Sequence, residues 1–294
     1  MRIVSLLPAA TEIIYALGLS EQLVGVTFEC DEPAEARTTK TVVVGGRDTR
    51  GMTPGEIDAY VRTMSDARQD LYTLHSDALA ELAPDIVITQ DLCRVCALPA
   101  GNVTAALDHL GCTADVITYD PHTLDDVLEG IIAIGERLGA GVRAGELARE
   151  LNARLEAVRH AVADRPHPRV AVIEWVDPPF TAGHWVPDML TAAGGVAVSA
   201  VPGGRSASTT WDAIAAERPD VALVAPCGFR LDDASEQAKV VVDALPGVPV
   251  WALHGDGLVV RPGPRLIDGV EAIAAALHGD AVPPAPETAL RRIR

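Results

Sequence analysis

The sequence is poor in positive charge. Its 294 residues include 24 lysines and arginines against 41 aspartates and glutamates, which gives a formal net charge of −17. Proteins that bind nucleic acid or anionic membranes need a net basic field that displaces counterions. A chain this acidic argues against nucleic acid as a partner.

A long apolar run is also missing. The N-terminal stretch MRIVSLLPAATEIIYALG is interrupted by Pro8, Thr11 and Glu12. It is too short to span a bilayer and too polar for the core of a signal peptide. We expect no membrane span, and a cytoplasmic protein as the chain stands, or an extracytoplasmic one if a leader was removed.

The common catalytic motifs are absent. The chain has neither a G-x-S-x-G elbow nor a P-loop, and Val43-Val-Gly-Gly46 indicates only a turn. No nucleophile stands beside a base. The sequence therefore favours a binding protein over an enzyme, and an enzyme would need a bound metal to supply its chemistry.

Short runs rich in valine and isoleucine alternate with helical patterns, which is typical of a mostly parallel sheet. Between residues 123 and 164 only helical spacing occurs, and its second helix, of roughly 23 residues, would be about 35 Å long. We therefore predict an N-terminal α/β lobe, a helical linker, a C-terminal α/β lobe and a loose tail, at residues 1–122, 123–166, 167–280 and 281–294.

Two segments of the chain echo each other. Pro84 to Cys93 and Pro219 to Cys227 share a Pro-Asp entry, an apolar strand and a cysteine just past the strand end. Coincidence is an alternative, because Pro-Asp before a strand is common. Together with the helical divider, the echo favours two similar Rossmann-like lobes joined by one long helix.

Cysteines are few, and four of the five follow predicted strands: Cys30, Cys93, Cys96 and Cys227. An odd number of cysteines in a reducing compartment argues against a disulfide framework. If both lobes turn their strand ends toward one cleft, the four thiols could hold zinc or an iron–sulfur cluster. The alternatives are ordinary buried thiols, with the C-x-x-C as a chance pair or a redox dithiol.

Four blocks of the chain resemble the helical-backbone class of ABC-importer substrate-binding proteins, nearest to the cobalamin- or corrinoid-binding group. The blocks are RIVSLLPAATEIIYALGLSEQLVGVTFECDEP, APDIVIT, EWVDPPFTAGHWVPDMLTAAGG and RPGPRLIDGVEAIAAAL. The match covers Arg2 to about Leu277. It implies two rigid lobes, a small-molecule ligand in the cleft between them and an ABC permease as partner. Ligands within this class include corrinoids, siderophores, haem and metal ions.

The resemblance also suggests ligand-binding residues in the second half. Trp185 and His184 lie in a Gly-His-Trp loop, where the indole could face a flat macrocycle and the imidazole could donate a hydrogen bond or bind cobalt. Arg261 matches the position from which the family reaches its ligand, with Asp256 just before it, although an exposed ion pair is an alternative. We also place Trp175 in this site.

Members of the class that serve an importer dock on the permease through one carboxylate on each lobe. By spacing, Glu56 and Asp212 fall at the matching places. The sequence thus predicts a binding protein for a corrinoid-like or other metal-containing ligand. The alternative is a cytoplasmic metalloprotein or redox enzyme with a cysteine-ligated iron–sulfur cluster or zinc in the same cleft.

Overall fold

The computed structural model describes residues 1–49, 51–67, 69–92 and 98–294. The chain divides into two compact units. Unit 1 comprises Met1–Asp120 and Gly130–Ala144, and unit 2 comprises Pro121–Glu129 and Gly145–Arg294. Among the described helices, none has the length and apolar character needed to cross a bilayer.

Unit 1 is built around a six-stranded sheet. Its strands lie in the order β4-β3-β2-β1-β5-β6, and every pairing is parallel except that of β3 with β4. The strands are β1 Ile3–Ser5, β2 Leu23–Thr27, β3 Thr41–Gly46, β4 Tyr72–Leu74, β5 Ile86–Thr89 and β6 Asp115–Thr118. The helices are α1 Pro8–Ala16, α2 Glu35–Thr39, α3 Pro54–Asp66, α4 Ser76–Leu82 and α5 Ala100–Leu110.

The central strands of unit 1 are buried on both faces, as expected for a parallel sheet that helices cover. All residues of β1 and β5 are buried, which explains why they read as continuous apolar runs rather than as alternating ones. Helix α1 starts with Pro8 in its first turn, where a missing N–H costs nothing. Gly18, with φ of +74°, then ends it in the left-handed conformation that glycine adopts freely.

Two helices follow, α6 Leu124–Arg137 and α7 Gly141–Val162. Their buried side chains recur at helical spacing, as the sequence predicts. The two units share both helices, because α6 changes unit at Gly130 and α7 at Gly145. Residues 130–144 therefore belong to unit 1, and residues 123–129 and 145–166 belong to unit 2. The sequence predicted a separate linker over 123–166.

Unit 2 contains a second, seven-stranded sheet in the order β12-β8-β7-β13-β14-β15, with β10 paired to β7. Strands β10, β7, β13 and β14 are parallel, and β8, β12 and β15 add antiparallel edges. The strands of this sheet are β7 Arg169–Val176, β8 Pro179–Thr181, β10 Val196–Ala197, β12 Ala207–Ser208, β13 Val221–Val224, β14 Val250–Leu253 and β15 Leu290–Arg292. Two further strands, β9 Gly183–His184 and β11 Val201–Pro202, pair parallel in a separate two-stranded sheet. The helices are α8 Val186–Ala192, α9 Trp211–Ala216, α10 Leu231–Ala244, α11 Gly255–Leu258 and α12 Leu266–His278. The predicted α/β class with mostly parallel sheets is confirmed.

The two units repeat one structural device, which supports the echo seen in the sequence. In unit 1 the backbone N–H of Arg2 donates to the Asp85 carboxylate over 2.6 Å, and in unit 2 the N–H of Arg169 donates to Asp220 over 2.8 Å. Each aspartate lies just before a central strand and fixes the start of the strand beside it. The Pro-Asp entries are therefore equivalent positions of an internal repeat.

The repeat extends to the preceding helices, α4 and α9. The guanidinium Nε of Arg2 donates to the Leu82 carbonyl over 2.5 Å, and that of Arg169 donates to the Glu217 carbonyl over 3.0 Å. In both units an arginine thus satisfies a carbonyl at the C-terminal end of the helix that leads to the Pro-Asp entry. Helix α4 of unit 1 corresponds to α9 of unit 2.

The structure corrects the expectation of a loose tail at 281–294. Strand β15 pairs antiparallel with β14, with Leu290 opposite Leu253. The Arg294 guanidinium donates to the carbonyls of Val242 and Val248, over 2.9 Å and 2.6 Å, and to that of Leu245. The tail is held because it pairs with the edge of β14 and satisfies carbonyls in the last turn of α10 and just after it.

Replacing Arg294 with alanine is expected to lower the free energy of unfolding of unit 2 by about 2 kcal/mol, since several charge-assisted hydrogen bonds are lost. Tryptophan fluorescence during urea unfolding measures this directly, because all four tryptophans lie in unit 2. Glu287→Ala, at an exposed position of the same segment, is the matched control. Equal unfolding midpoints for the two variants would refute a structural role for the tail.

Candidate ligand-binding site

Three parallel strands of unit 2, β7, β13 and β14, end side by side. Trp175 lies near the end of β7, and Asp256 and Arg261 lie in the segment after β14, so three of the five residues that the sequence assigned to ligand binding are found at these strand ends. In open α/β sheets, ligands generally bind at the carboxyl ends of the strands, where the connecting loops carry the residues that contact the ligand. This edge of unit 2 is the candidate site.

An aromatic pair occupies the site. The rings of Trp175 and Phe229 lie 5.5 Å apart with an interplanar angle of 50°, a tilted arrangement favourable for aromatic rings. The Trp175 indole N–H donates to the Asp177 carbonyl over 3.1 Å, which orients the ring. Both rings are only partly buried, so each has surface available to an apolar ligand. Sequence analysis missed Phe229, although its position after β13 was a usable signal.

An ion pair lies beside the aromatic pair. The Arg261 guanidinium donates to the Asp256 carboxylate, and their side chains are 10% and 15% exposed. The backbone N–H of Asp256 donates to the Phe229 carbonyl over 3.2 Å, which ties the loop after β14 to the loop after β13. Arg261 is therefore in a largely buried ion pair, and the alternative of an exposed one is wrong.

His254 caps the short helix α11. Its Nδ1 accepts the backbone N–H of Gly257 over 3.0 Å. Burial lowers the pKa of His254, and the nearby positive charge of Arg265 lowers this pKa further. A neutral ring is required for Nδ1 to accept, so the electrostatics and the cap agree.

Trp185, whose indole the sequence assigned to the face of a flat ligand, is buried in the structure. It is 5% exposed, and its N–H donates to the Val259 carbonyl over 2.8 Å. The neighbouring His184 stacks on it, with ring centroids 5.5 Å apart and an interplanar angle of 29°. Burial lowers the pKa of His184, with additional contributions from His122 and Arg205. His184 is half-buried, whereas Trp185 acts in the structure as a core residue.

The described cysteines give no support to a metal cluster. Cys30, in unit 1, is fully buried, and its sulfur lies 3.0 Å from the Thr11 hydroxyl. Cys227, in unit 2, is exposed. Cys93 and Cys96 lie outside the described residues, and within the part of the chain that is described no three His, Cys, Asp or Glu side chains form a potential metal site. The shared four-cysteine site stays a prediction.

The two acids assigned to permease docking differ in their surroundings. Glu56 is exposed in the first turn of α3, where its carboxylate accepts from the backbone N–H and the hydroxyl of Thr53 over 2.7 Å and 3.0 Å. These hydrogen bonds lower the pKa of Glu56. Asp212 is exposed in the first turn of α9, after the N-cap Thr210. Glu56 is thus part of a capping box.

The internal repeat suggests a different acid of unit 1 as the counterpart of Asp212 in permease docking. Because α4 corresponds to α9, the equivalent first-turn acid of unit 1 is Asp77, which is exposed. Sequence analysis missed Asp77, since α4 has only seven residues and was not predicted as a helix.

Comparison with known proteins agrees with this architecture. The family model described as periplasmic binding protein matches residues 3–253, so the chain belongs to the periplasmic binding protein family. A Vibrio cholerae protein named vitamin B12-binding protein is 26% identical over 281 residues, which cover 94% of this chain and 88% of the relative. A Bacillus subtilis protein named uncharacterized ABC transporter substrate-binding lipoprotein YvrC is 26% identical over 286 residues, which cover 95% of this chain and 80% of the relative.

Among solved structures, the periplasmic heme-binding protein RhuT from Roseiflexus sp. RS-1, in apo form, superposes with a TM-score of 0.70 at 24% sequence identity. The match covers 95% of this chain and 98% of that protein. At this identity the likeness supports the fold. The resemblance to importer substrate-binding proteins is confirmed, and the chain is a binding protein of the ABC-importer type.

Proposed function

We propose that this chain is an extracytoplasmic binding protein that captures a cobalamin-type corrinoid and delivers it to an ABC importer. Family membership gives the general role, and the named function of the Vibrio cholerae relative suggests the ligand. The lipoprotein relative supports a location outside the cytoplasm. The observation that carries the proposal is the aromatic pair beside the Asp256–Arg261 ion pair at the carboxyl ends of the unit 2 strands.

The chemistry of this edge suits a corrinoid. A corrin ring is broad, flat and largely apolar, and the partly exposed faces of Trp175 and Phe229 offer aromatic surface to it. The amide groups at the rim of a corrinoid both donate and accept hydrogen bonds. A guanidinium and a carboxylate held together can satisfy both kinds of group without moving, so little entropy is lost on binding.

Titration of the purified protein with cyanocobalamin, followed by calorimetry, tests the proposal. Haemin and a ferric hydroxamate siderophore are run alongside, because they represent the other ligand types of the class. Tight binding of cyanocobalamin with weak binding of the other two supports the proposal. Binding of haemin or siderophore alone would refute the corrinoid assignment and keep the general role.

Trp175→Ala is expected to weaken corrinoid binding by about tenfold, since an aromatic contact contributes roughly 1 kcal/mol beyond the area that it buries. Trp251→Phe is the matched control, because Trp251 lies on β14 and its ring contacts Arg292 on the neighbouring strand. Unchanged affinity in the Trp175 variant would remove this ring from the site.

The alternative of a zinc ion or an iron–sulfur cluster rests on the sequence pattern of Cys30, Cys93, Cys96 and Cys227 alone. Metal analysis of anaerobically purified protein decides it. Iron with a broad visible band, or stoichiometric zinc, would support a cysteine-bound metal, and the absence of both would leave the corrinoid proposal as the better account.

A further inference from the structure

A turn of unit 2, at Gly203 and Gly204 after β11, is held by two histidine residues. The Gly203 carbonyl oxygen lies 3.0 Å from Nδ1 of His122, and Nδ1 is the donor because a carbonyl can only accept. The backbone N–H of Gly203 donates to the His184 carbonyl over 3.1 Å, and the N–H of His184 donates to the Gly204 carbonyl over 2.5 Å. We call residues 183–184 and 201–206 the latch segment.

The two parts of the latch segment pack closely on each other. A Cβ atom at Gly183 would lie 2.3 Å from the Ser206 backbone nitrogen and 2.6 Å from the Gly204 carbonyl oxygen, so no room remains for water between them. The next residue, His184, has a buried Nε2 atom without a hydrogen-bond partner within the described structure. Its φ of +47° lies in the left-handed region that side-chain-bearing residues seldom adopt. Two unfavourable features on one residue point to a functional role.

The charges that face the His184 ring are positive. Its centroid lies 6.1 Å from that of the His122 ring, which precedes α6, and Arg205 of the latch segment also acts on it. Burial is the main cause of the lowered pKa of His184, and His122 and Arg205 lower this pKa further. On its remaining side the ring stacks on the uncharged Trp185. These surroundings favour the neutral ring.

The carboxylates on the elements around His184 are engaged with other donors. Those of Asp126 in α6, Glu174 on β7 and Asp188 in α8 accept the backbone N–H groups of His122, Gly183 and Leu124, over 2.9 Å, 3.3 Å and 3.0 Å. Glu174 also accepts the Ser206 hydroxyl. None of them accepts from Nε2 of His184. A proton added to Nε2 would therefore be buried without an acceptor.

We propose that His184 makes the latch segment acid-sensitive: when its ring takes up a second proton, the turn at Gly203 and Gly204 opens and water reaches the ring. A buried imidazolium without an acceptor is costly, and opening hydrates it. The opening breaks few contacts, since β9 and β11 have only two residues each. Because Glu174 joins the latch segment to β7 next to Trp175, opening also loosens this end of β7.

The direction of the pH effect follows from the proton count. The pKa of His184 in the closed structure is below its ordinary value of 6.5, so the open form binds more protons. The closed form is thus fully stable near neutral pH and loses stability as the pH falls below about 6.5. Uptake of one proton shifts the opening equilibrium by at most about tenfold per pH unit.

Amide hydrogen exchange of the ligand-free protein at about pH 7.5 and about pH 5.5, corrected for the intrinsic effect of pH on exchange, tests the proposal. Peptides that cover the latch segment should lose between about twofold and tenfold of their protection at the lower pH. Peptides that cover the buried strand β13 should keep their protection. A loss below about twofold in the wild-type latch segment would overturn the proposal, and this measurement needs no variant.

His184→Asn removes the titrating ring, and asparagine tolerates positive φ better than most residues. This variant should show equal protection of the latch segment at both pH values. His160→Asn, which changes an exposed histidine of the same unit, should behave as the wild type does. A pH effect that persists in His184→Asn would overturn the proposal, because another group would then cause it. No ligand is present in these measurements, so their outcome and that of the corrinoid titration are independent.

Discussion

Replacing Asp256 with alanine is expected to lower the free energy of unfolding of unit 2 by about 3 kcal/mol. The substitution leaves the Arg261 guanidinium, whose side chain is only 10% exposed, without the carboxylate that it contacts. Removing one member of a buried ion pair is costly because the remaining charge stays desolvated. Urea unfolding followed by tryptophan fluorescence measures the effect, since Trp175 lies near the end of β7 in the same unit.

A double-mutant cycle shows whether the ion pair causes that loss. Asp256→Ala combined with Arg261→Met should be more stable than Asp256→Ala alone, because the buried guanidinium that lost this carboxylate is then removed as well. Asp212→Ala, which removes an exposed acid of the same unit, should change the unfolding free energy by less than about 0.5 kcal/mol. A loss below about 1 kcal/mol for Asp256→Ala would show that water reaches Arg261 easily, which would contradict the burial described here.

The sequence predicted correctly those strands that are buried on both faces of the sheet, because such strands appear in the sequence as continuous apolar runs. Strand β5 and strand β13 read as Ile-Val-Ile-Thr and Val-Ala-Leu-Val, and the structure has them at Ile86–Thr89 and Val221–Val224. Strands that depend on tertiary pairing were missed. Strand β12 has only two residues, both exposed, and exists because Ala207 pairs with Thr181. Strand β15 is similar, since its pairing with β14 has no local signature.

The candidate site shows the same division between local and tertiary information. Trp175, Asp256 and Arg261 could be found because each lies at or just after the end of a predicted strand. The structure places Trp175 near the end of β7, Asp256 in α11 and Arg261 in the segment that follows α11. The burial of Trp185 could not be found, because it depends on the Val259 carbonyl, 74 positions along the chain.

The repeat within the chain suggests which acids would dock on the permease, if the protein delivers its ligand to an importer as proposed. Asp77 and Asp212 lie in the first turns of α4 and α9, which the arginine and Pro-Asp contacts make equivalent. An exposed carboxylate in each unit is free to pair with arginines of a permease, whereas the Glu56 carboxylate already accepts two hydrogen bonds from Thr53. We therefore expect the docking pair to be Asp77 and Asp212.

Asp77→Ala combined with Asp212→Ala should reduce corrinoid uptake by about tenfold or more, since losing one side of an interfacial charge pair costs about 2–5 kcal/mol. Uptake is measured in cells that lack the chromosomal copy of this gene and express each variant from a plasmid. Corrinoid affinity in vitro and the unfolding midpoint should stay unchanged, because both positions are exposed. Glu56→Ala combined with Asp212→Ala is the matched comparison and should reduce uptake less. If that variant shows the larger loss, the pairing of Glu56 with Asp212 suggested by sequence spacing is correct, and the equivalence of α4 and α9 does not extend to the docking surface.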